Sequence, residues 1–214
     1  MISDQIVDRF VRNLDQTRDA ATTYEIELSV LGVPIIKKET IISGLIEHGW
    51  NVQYESAYIQ KLHFYRDSGT IHKENDEQPY IKIRLEGAKL EGHNFRISKE
   101  ILYDGDLPDK PNDTREYRQT QLIKTVGEHD YSIFIRDFAD RLDIELEVEL
   151  EPSSAVSSLV KSALLEMNNL IDQLFNVIDS SSSTVQDEQY IKNVRERLTK
   201  RRLRPKYYKK WSDI

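Results

Sequence analysis

At 214 residues, with 31% charged against 38% hydrophobic residues, the chain suits one domain with a modest extension, and its lack of cysteine excludes a disulfide framework or a thiolate metal site. No apolar run approaches the roughly 18–20 residues of a membrane span, and Met1-Ile2-Ser3-Asp4-Gln5 has neither the basic nor the apolar region of a signal peptide, so an intracellular protein with no membrane partner is expected, in nucleus or cytoplasm. The net charge of −7 is unevenly spread: residues 192–214 hold ten Lys/Arg against two acids, leaving the rest strongly acidic.

Ile6, Val7, Phe10, Val11 and Leu14 recur at helical spacing, predicting an amphipathic helix over 3–18 with Ser3 or Asp4 as N-cap. Residues 24–31 alternate as a strand, and Pro34 opens a second helix that ends near Gly49. Strands are then predicted over 52–65, 80–86, 94–102, 115–124, 130–137 and 142–150, with turn signals at Asp67-Ser68-Gly69, Asp104-Gly105 and Pro108 to Asn112. The helical period resumes over 153–178, capped by Ser153 or Ser154, and the run from Ser180 to Ser183 reads as flexible linker. The expected organisation is a body of residues 1–178, a Ser-rich linker of 179–189 and a basic tail of 190–214. Two helices followed by a succession of neighbouring strands point to an α+β fold built on a large antiparallel sheet or barrel.

The segment Asp143-Ile144-Glu145-Leu146-Glu147-Val148-Glu149-Leu150-Glu151 alternates acid and aliphatic without a break. As a strand it carries carboxylates on one face and aliphatics on the other, with same-face neighbours about 6.5–7 Å apart. Such a face needs compensation; the competing reading, a solvated sheet face, usually mixes Lys, Thr and Glu. Tyr24-Glu25-Ile26-Glu27-Leu28 repeats the pattern, and if the two strands are neighbours their carboxylates form an all-oxygen site for a hard divalent cation, Mg²⁺ or Mn²⁺.

Strands of opposite charge lie between them. Ile81-Lys82-Ile83-Arg84-Leu85-Glu86 puts Lys82, Arg84 and Glu86 on one face, and Asn94-Phe95-Arg96-Ile97-Ser98 puts Arg96 among polar neighbours. Arg115 and Arg118 fall on opposite faces under simple alternation, so one of them is expected to be external. A closed barrel with aliphatic positions outside and both acids and cations inside would bind a metal–polyphosphate complex, Arg through its bidentate fork and Lys as a compact charge. The five histidines, at 48, 63, 72, 93 and 129, lack metal-ligand spacing and read as structural or surface. The tail from Lys192 to Lys210 mixes cations with Tyr207 and Tyr208, as does an RNA-binding or partner-docking segment.

Tyr-Glu-Ile-Glu-Leu at 24–28 and Glu-Leu-Glu-Val-Glu at 145–149 resemble the first and last glutamate motifs of the triphosphate tunnel metalloenzymes, specifically the fungal and large-DNA-virus branch of mRNA-capping RNA triphosphatases. The resemblance spans roughly residues 20–175 and implies a closed antiparallel β-barrel with flanking helices. It further implies metal ligation by Glu25, Glu27, Glu147 and Glu149, and phosphate contacts from Lys82, Arg84, Arg96, Arg115, Arg118 and Arg136. Of these, Arg84, Arg96, Arg115 and Arg118, with Glu145, are the implied catalytic groups, and Asp130 and Ser132 match an acid-and-hydroxyl pair of the family. Relatives acting on small molecules commonly carry a lysine two positions after the second glutamate, where this chain has Ser29. The implied substrate is 5′-triphosphate RNA and the implied partner a guanylyltransferase. The alternatives are a tunnel enzyme acting on inorganic tripolyphosphate or nucleoside triphosphates, and a non-catalytic polyanion-binding module.

Overall fold

The computed structural model describes residues 5, 7–9, 11–12, 23–66, 70–90, 92–138, 140–151 and 157–180. All lie within one compact unit, Met1–Ser181. The Ser-rich linker from residue 181 onward, the basic tail, the Asp67-Ser68-Gly69 turn and the Ser153/Ser154 caps fall outside the described residues. Residues 5, 7–9 and 11–12 are helical, and Val7 and Val11 pack against the core.

Nine strands follow in order: β1 (Thr23–Val33), β2 (Asn51–Glu55), β3 (Gln60–Arg66), β4 (Thr70–Glu74), β5 (Tyr80–Leu90), β6 (His93–Leu102), β7 (Asp113–Val126), β8 (His129–Phe138) and β9 (Arg141–Leu150). Helix α1 (Lys38–Glu47), entered through a 3₁₀ turn at Ile35–Lys37, sits between β1 and β2, and α2 (Ser157–Ser180) ends the described chain. The sheet order β2-β7-β3-β4-β5-β6-β1-β9-β8, with β8 returning to β7, closes an eight-stranded antiparallel barrel that leaves β2 outside. Closure leaves no free edge within the barrel itself. Among the described residues, no helix is long and apolar enough to cross a membrane.

The alternation in β1 and β9 sorts residues between outside and lumen. Tyr24, Ile26 and Leu28 of β1, with Ile144, Leu146 and Val148 of β9, are fully buried on the outer face. They join Val160, Leu164, Met167, Ile171 and Leu174 of α2 and Ile41 and Leu45 of α1 in one core. The helical spacing of those α2 residues gives it one apolar face. Tyr131 of β8 ties this helix to the barrel, its hydroxyl donating to Ala163 O (3.0 Å) and Glu166 Oε2 (2.9 Å).

Three sequence expectations need revision. The single strand expected over 52–65 is two, β2 and β3, because both pair with β7 at different stretches; between them, Ser56 Oγ accepts from Gln119 N at 2.7 Å. Strand β4 was not predicted; only Ile71 of its residues is fully buried, so its apolar signal is faint. Finally, Lys82, Arg84 and Glu86 do not share a face. The register with β6 shifts between Arg84 and Glu86, a bulge that turns Glu86 outward, where Arg9 meets it at 3.7 Å. Gly87 takes the inward place opposite Arg96.

Candidate active site

Antiparallel pairing sets Glu27 opposite Glu147 on β9 and Arg96 on β6, with Glu25 opposite Glu149 and Ser98. Glu25, Glu27 and Glu147 are 5%, 0% and 6% exposed, and one carboxylate oxygen of each lies within 4.8 Å of the others. Cations from the next strands lean into this cluster. Lys82 Nζ pairs with Glu25, with Glu27 Oε2 at 2.7 Å and with Glu100 at 3.8 Å. Arg96 Nη2 pairs with Glu27, reaches Glu145 at 3.8 Å and donates to Ser29 Oγ at 3.3 Å. On β8, Arg136 Nη1 donates to Glu145 at 2.9 Å, its guanidinium lying 5.7 Å from the Tyr117 ring and 5.5 Å from that of Phe134.

The lumen therefore holds acids of two kinds. For Glu145, burial raises the carboxyl, but Arg136, Lys82 and Arg96 outweigh it and hold the group down to about 2. Burial, reinforced by Glu25 and Glu145, pushes Glu147 well above the usual carboxylate range, and burial with Glu145 raises Glu27. Burial and Glu25 lift Glu100 to about 8. Left to themselves, Glu27 and Glu147 favour protons; a cation does the same work.

The donor set fits such a cation. Three carboxylates offer only hard oxygen ligands, and two of their buried oxygens, Glu25 Oε2 and Glu27 Oε1, are balanced by ion pairs to Lys82 and Arg96. Arg96 Nε is a buried donor without an acceptor. An oxyanion entering the lumen would satisfy it.

No protein-family model matches the chain, and no curated protein does either. Among solved structures, the Pct1 RNA triphosphatase of S. pombe matches with a TM-score of 0.52 at 13% identity, covering 81% of this chain and 93% of that one. The same enzyme in complex with the Spt5 CTD gives 0.52 at 14% identity, with the same coverage of 81% and 93%. The triphosphatase of the Mimivirus capping enzyme aligns at 0.49 and 12% identity over 83% of this chain and 99% of its own. The chain has the triphosphate-tunnel fold.

Among the described residues, two cavities share the row of inward side chains, the larger one also reaching Leu159 of α2. One, of about 150 Å³, is lined by Arg96, Arg115 and Arg136 together with Ser29, Tyr117 and Glu145. The other, of about 520 Å³, is lined by Glu128, Asp130, Ser132, Glu147, Glu149 and Glu151 among others.

The tunnel does not gather every expected residue. Arg118 stands outside: it is exposed and pairs in register with Asp137, because it lies an odd number of positions, three, beyond inward-facing Arg115 and alternation reverses its side. Glu149 shares the face of Glu147 but is exposed, lining the larger cavity and lying outside the three-carboxylate cluster. Arg84 faces inward but is exposed, its guanidinium lying where a Cβ on Gly87 would collide with it. Arg115 is also exposed, held 4.8 Å over the Phe64 ring.

Three lumen residues were not among the site residues predicted from the sequence. Ser29 bridges the acids and cations, its Oγ donating to Glu145 at 3.3 Å while accepting from Arg96. Glu100 follows Arg96 by four residues on the same strand face, so alternation alone could have found it. His72 lies between Phe64, which it meets edge-on at 5.1 Å, and Tyr80, tilted against it at 5.3 Å. Burial, then Lys82, Arg96 and Arg115, press it down to about 4 and keep it neutral.

Proposed function

We propose that the chain is a metal-dependent RNA 5′-triphosphatase of the triphosphate tunnel metalloenzyme superfamily, which hydrolyses the β–γ phosphoanhydride of a 5′-triphosphate end to a diphosphate end and orthophosphate, the first step of mRNA capping. One observation carries the reading: three buried carboxylates converge inside a closed barrel beside inward-facing Lys82, Arg96 and Arg136. A binder of anions alone gains nothing from such acids next to its ligand. The match to an RNA triphosphatase fold supports the same reading.

Glu25, Glu27 and Glu147 would hold Mg²⁺ or Mn²⁺, which when bound neutralises phosphate charge and polarises the phosphoryl oxygen. The protein's own part is positioning. Arg96 offers its unpaired Nε to a phosphate oxygen, and Lys82 adds a charge fixed by Glu25 and Glu27. Glu145, ionised throughout the neutral range, fixes Arg136 and steadies Arg96 through Ser29, so neither guanidinium must reorganise as charge develops on the transferring group. We place this activity in the nucleus or cytoplasm, with a guanylyltransferase as the partner performing the next step.

The test is γ-phosphate release from triphosphate-ended RNA, ATP and tripolyphosphate with Mg²⁺ or Mn²⁺. Glu25→Ala and Glu147→Ala are each expected to lower it by about 10²–10³ or more while circular dichroism shows the barrel intact. Full activity in either variant overturns the assignment. A preference for tripolyphosphate over RNA would move the enzyme to the small-molecule side of the superfamily.

A further inference from the structure

The two cavities differ in charge in a way that phosphoryl transfer itself does not demand. Along β9 the inward side chains run Asp143, Glu145, Glu147 and Glu149, and Glu151 follows just beyond its end. The first two line the smaller cavity and the last three the larger one, so the cavities lie toward opposite ends of the tunnel. The smaller contains three arginines. The larger contains five carboxylates, at Glu128, Asp130, Glu147, Glu149 and Glu151, and no Lys or Arg among its lining residues.

A nucleic acid is a polyanion, and its approach is governed by the sign of the surface it meets. The acidic end repels it. The arginine end attracts it and offers surfaces for stacking. Arg115 lies 4.8 Å over the ring of Phe64, Arg141 lies 4.9 Å over that of Phe138, and Tyr117 packs 5.7 Å from Phe138. Phe64 and Phe138 are half-buried, and flat guanidinium–ring pairs of this kind are what unpaired bases stack on. Leu31, at 57% exposure, completes the apolar rim. From this end the inward residues of β1 run Leu31, Ser29, Glu27, Glu25, so an entering phosphate chain meets the arginines before the carboxylate cluster.

We propose that the 5′-triphosphate end of RNA enters through the arginine end, γ-phosphate first, and that its first nucleoside stays at that end, stacked between Phe64 and Phe138 over the buried ring of Tyr117. This orientation rests on the triphosphatase reading and adds a direction and a nucleoside seat to it. The acidic end excludes nucleic acid.

Because the chain has no cysteine, each end can be blocked chemically in turn. Leu31→Cys at the arginine end and Glu128→Cys at the acidic end are made separately and modified with a polyethylene-glycol maleimide. Hydrolysis of a triphosphate-ended oligonucleotide, hydrolysis of tripolyphosphate, and oligonucleotide binding by fluorescence anisotropy are compared before and after modification of each variant. Modification at position 31 is expected to lower kcat/KM and affinity for the oligonucleotide by about tenfold or more, the scale of one lost stacked base with its phosphate contact. Modification at position 128 should change both less than about twofold on the same scale. Tripolyphosphate hydrolysis should persist in both, since it requires no nucleoside seat. The reverse pattern, equal loss at both ends, or no loss at either overturns the orientation. Should no triphosphate be hydrolysed even by the unmodified natural chain, the triphosphatase reading fails, and oligonucleotide binding alone still decides which end receives the polyanion.

Discussion

Glu147→Gln separates a cation site from a merely tolerated cluster of acids. The three carboxylate oxygens lie within 4.8 Å of one another, and at an effective dielectric near 20 two like charges at that distance repel by ~3.5 kcal/mol, part of which Lys82 and Arg96 offset. Removing one charge at nearly constant shape is therefore expected to stabilise the cation-free protein by about 1–2 kcal/mol, which for a body of this size raises Tm by ~2–8 °C. The gain has a pH signature. Burial and Glu25 raise the Glu147 carboxyl in the folded state, so the natural protein is penalised as pH climbs through that raised value, and the advantage of glutamine grows with pH and fades in acid. Saturating Mn²⁺ reverses the order, because the natural protein gains ~2.7 kcal/mol at a hundredfold excess over Kd while the variant, short one ligand, does not. Scanning calorimetry in chelator and in Mn²⁺, at pH 5.5 and 8, reads all of this. A variant that is less stable in chelator, or that keeps the full gain from Mn²⁺, would refute the reasoning.

Arg136→Met leaves Glu145 buried with Arg96, at 3.8 Å, and distant Lys82 as its remaining cations, and is expected to lower stability in urea by about 3–5 kcal/mol. Adding Glu145→Gln should recover much of that loss; simple additivity of the two changes would show that the pair is not coupled. Glu100, lifted to about 8 by burial and Glu25, contributes stability that is complete below its ordinary value of 4.5 and is lost as pH rises through about 8. Denaturation of the chelated protein should accordingly show falling stability from pH 5 to 9, and Glu100→Gln should flatten that slope; an unchanged slope counts against the buried carboxyl.

Facing was legible in the sequence where alternation ran unbroken. Glu25, Glu27, Glu145 and Glu147 point inward because Ile26, Leu28, Leu146 and Val148 must point outward, and a one-residue slip would expose the core. The opposite sides taken by Arg115 and Arg118 follow from the same parity. What alternation cannot reveal is a place where it stops. The bulge after Arg84 exchanges Glu86 for Gly87 in the lumen, and the one mark of it in Arg84-Leu85-Glu86-Gly87 is the glycine, which leaves room for the Arg84 guanidinium. Strand β4 escaped notice for a related reason: it pairs with β5 through only Ile71 and His72, and closure of the barrel, more than its own composition, keeps it there. The separation of Glu149 from the cluster also needed three dimensions, because four consecutive acids on one strand face are indistinguishable until a cavity opens beside some of them.

The outer face also explains how the acids are held together where no cation is bound. Tyr24, Ile26, Leu28 and Val30 on β1, with Ile144, Leu146, Val148 and Leu150 on β9, are each at 3% exposure or less. Burial of such side chains contributes roughly 1.5–3 kcal/mol apiece, so together they exceed severalfold the ~3.5 kcal/mol by which a pair of the carboxylates repels. The barrel should therefore form in chelator and keep Glu25, Glu27 and Glu147 in place. Loss of activity on metal removal is then a loss of chemistry and not of fold, with an unchanged far-ultraviolet spectrum as its mark. Unfolding in chelator would mean that the lumen charges, and not the apolar shell, decide whether this chain folds.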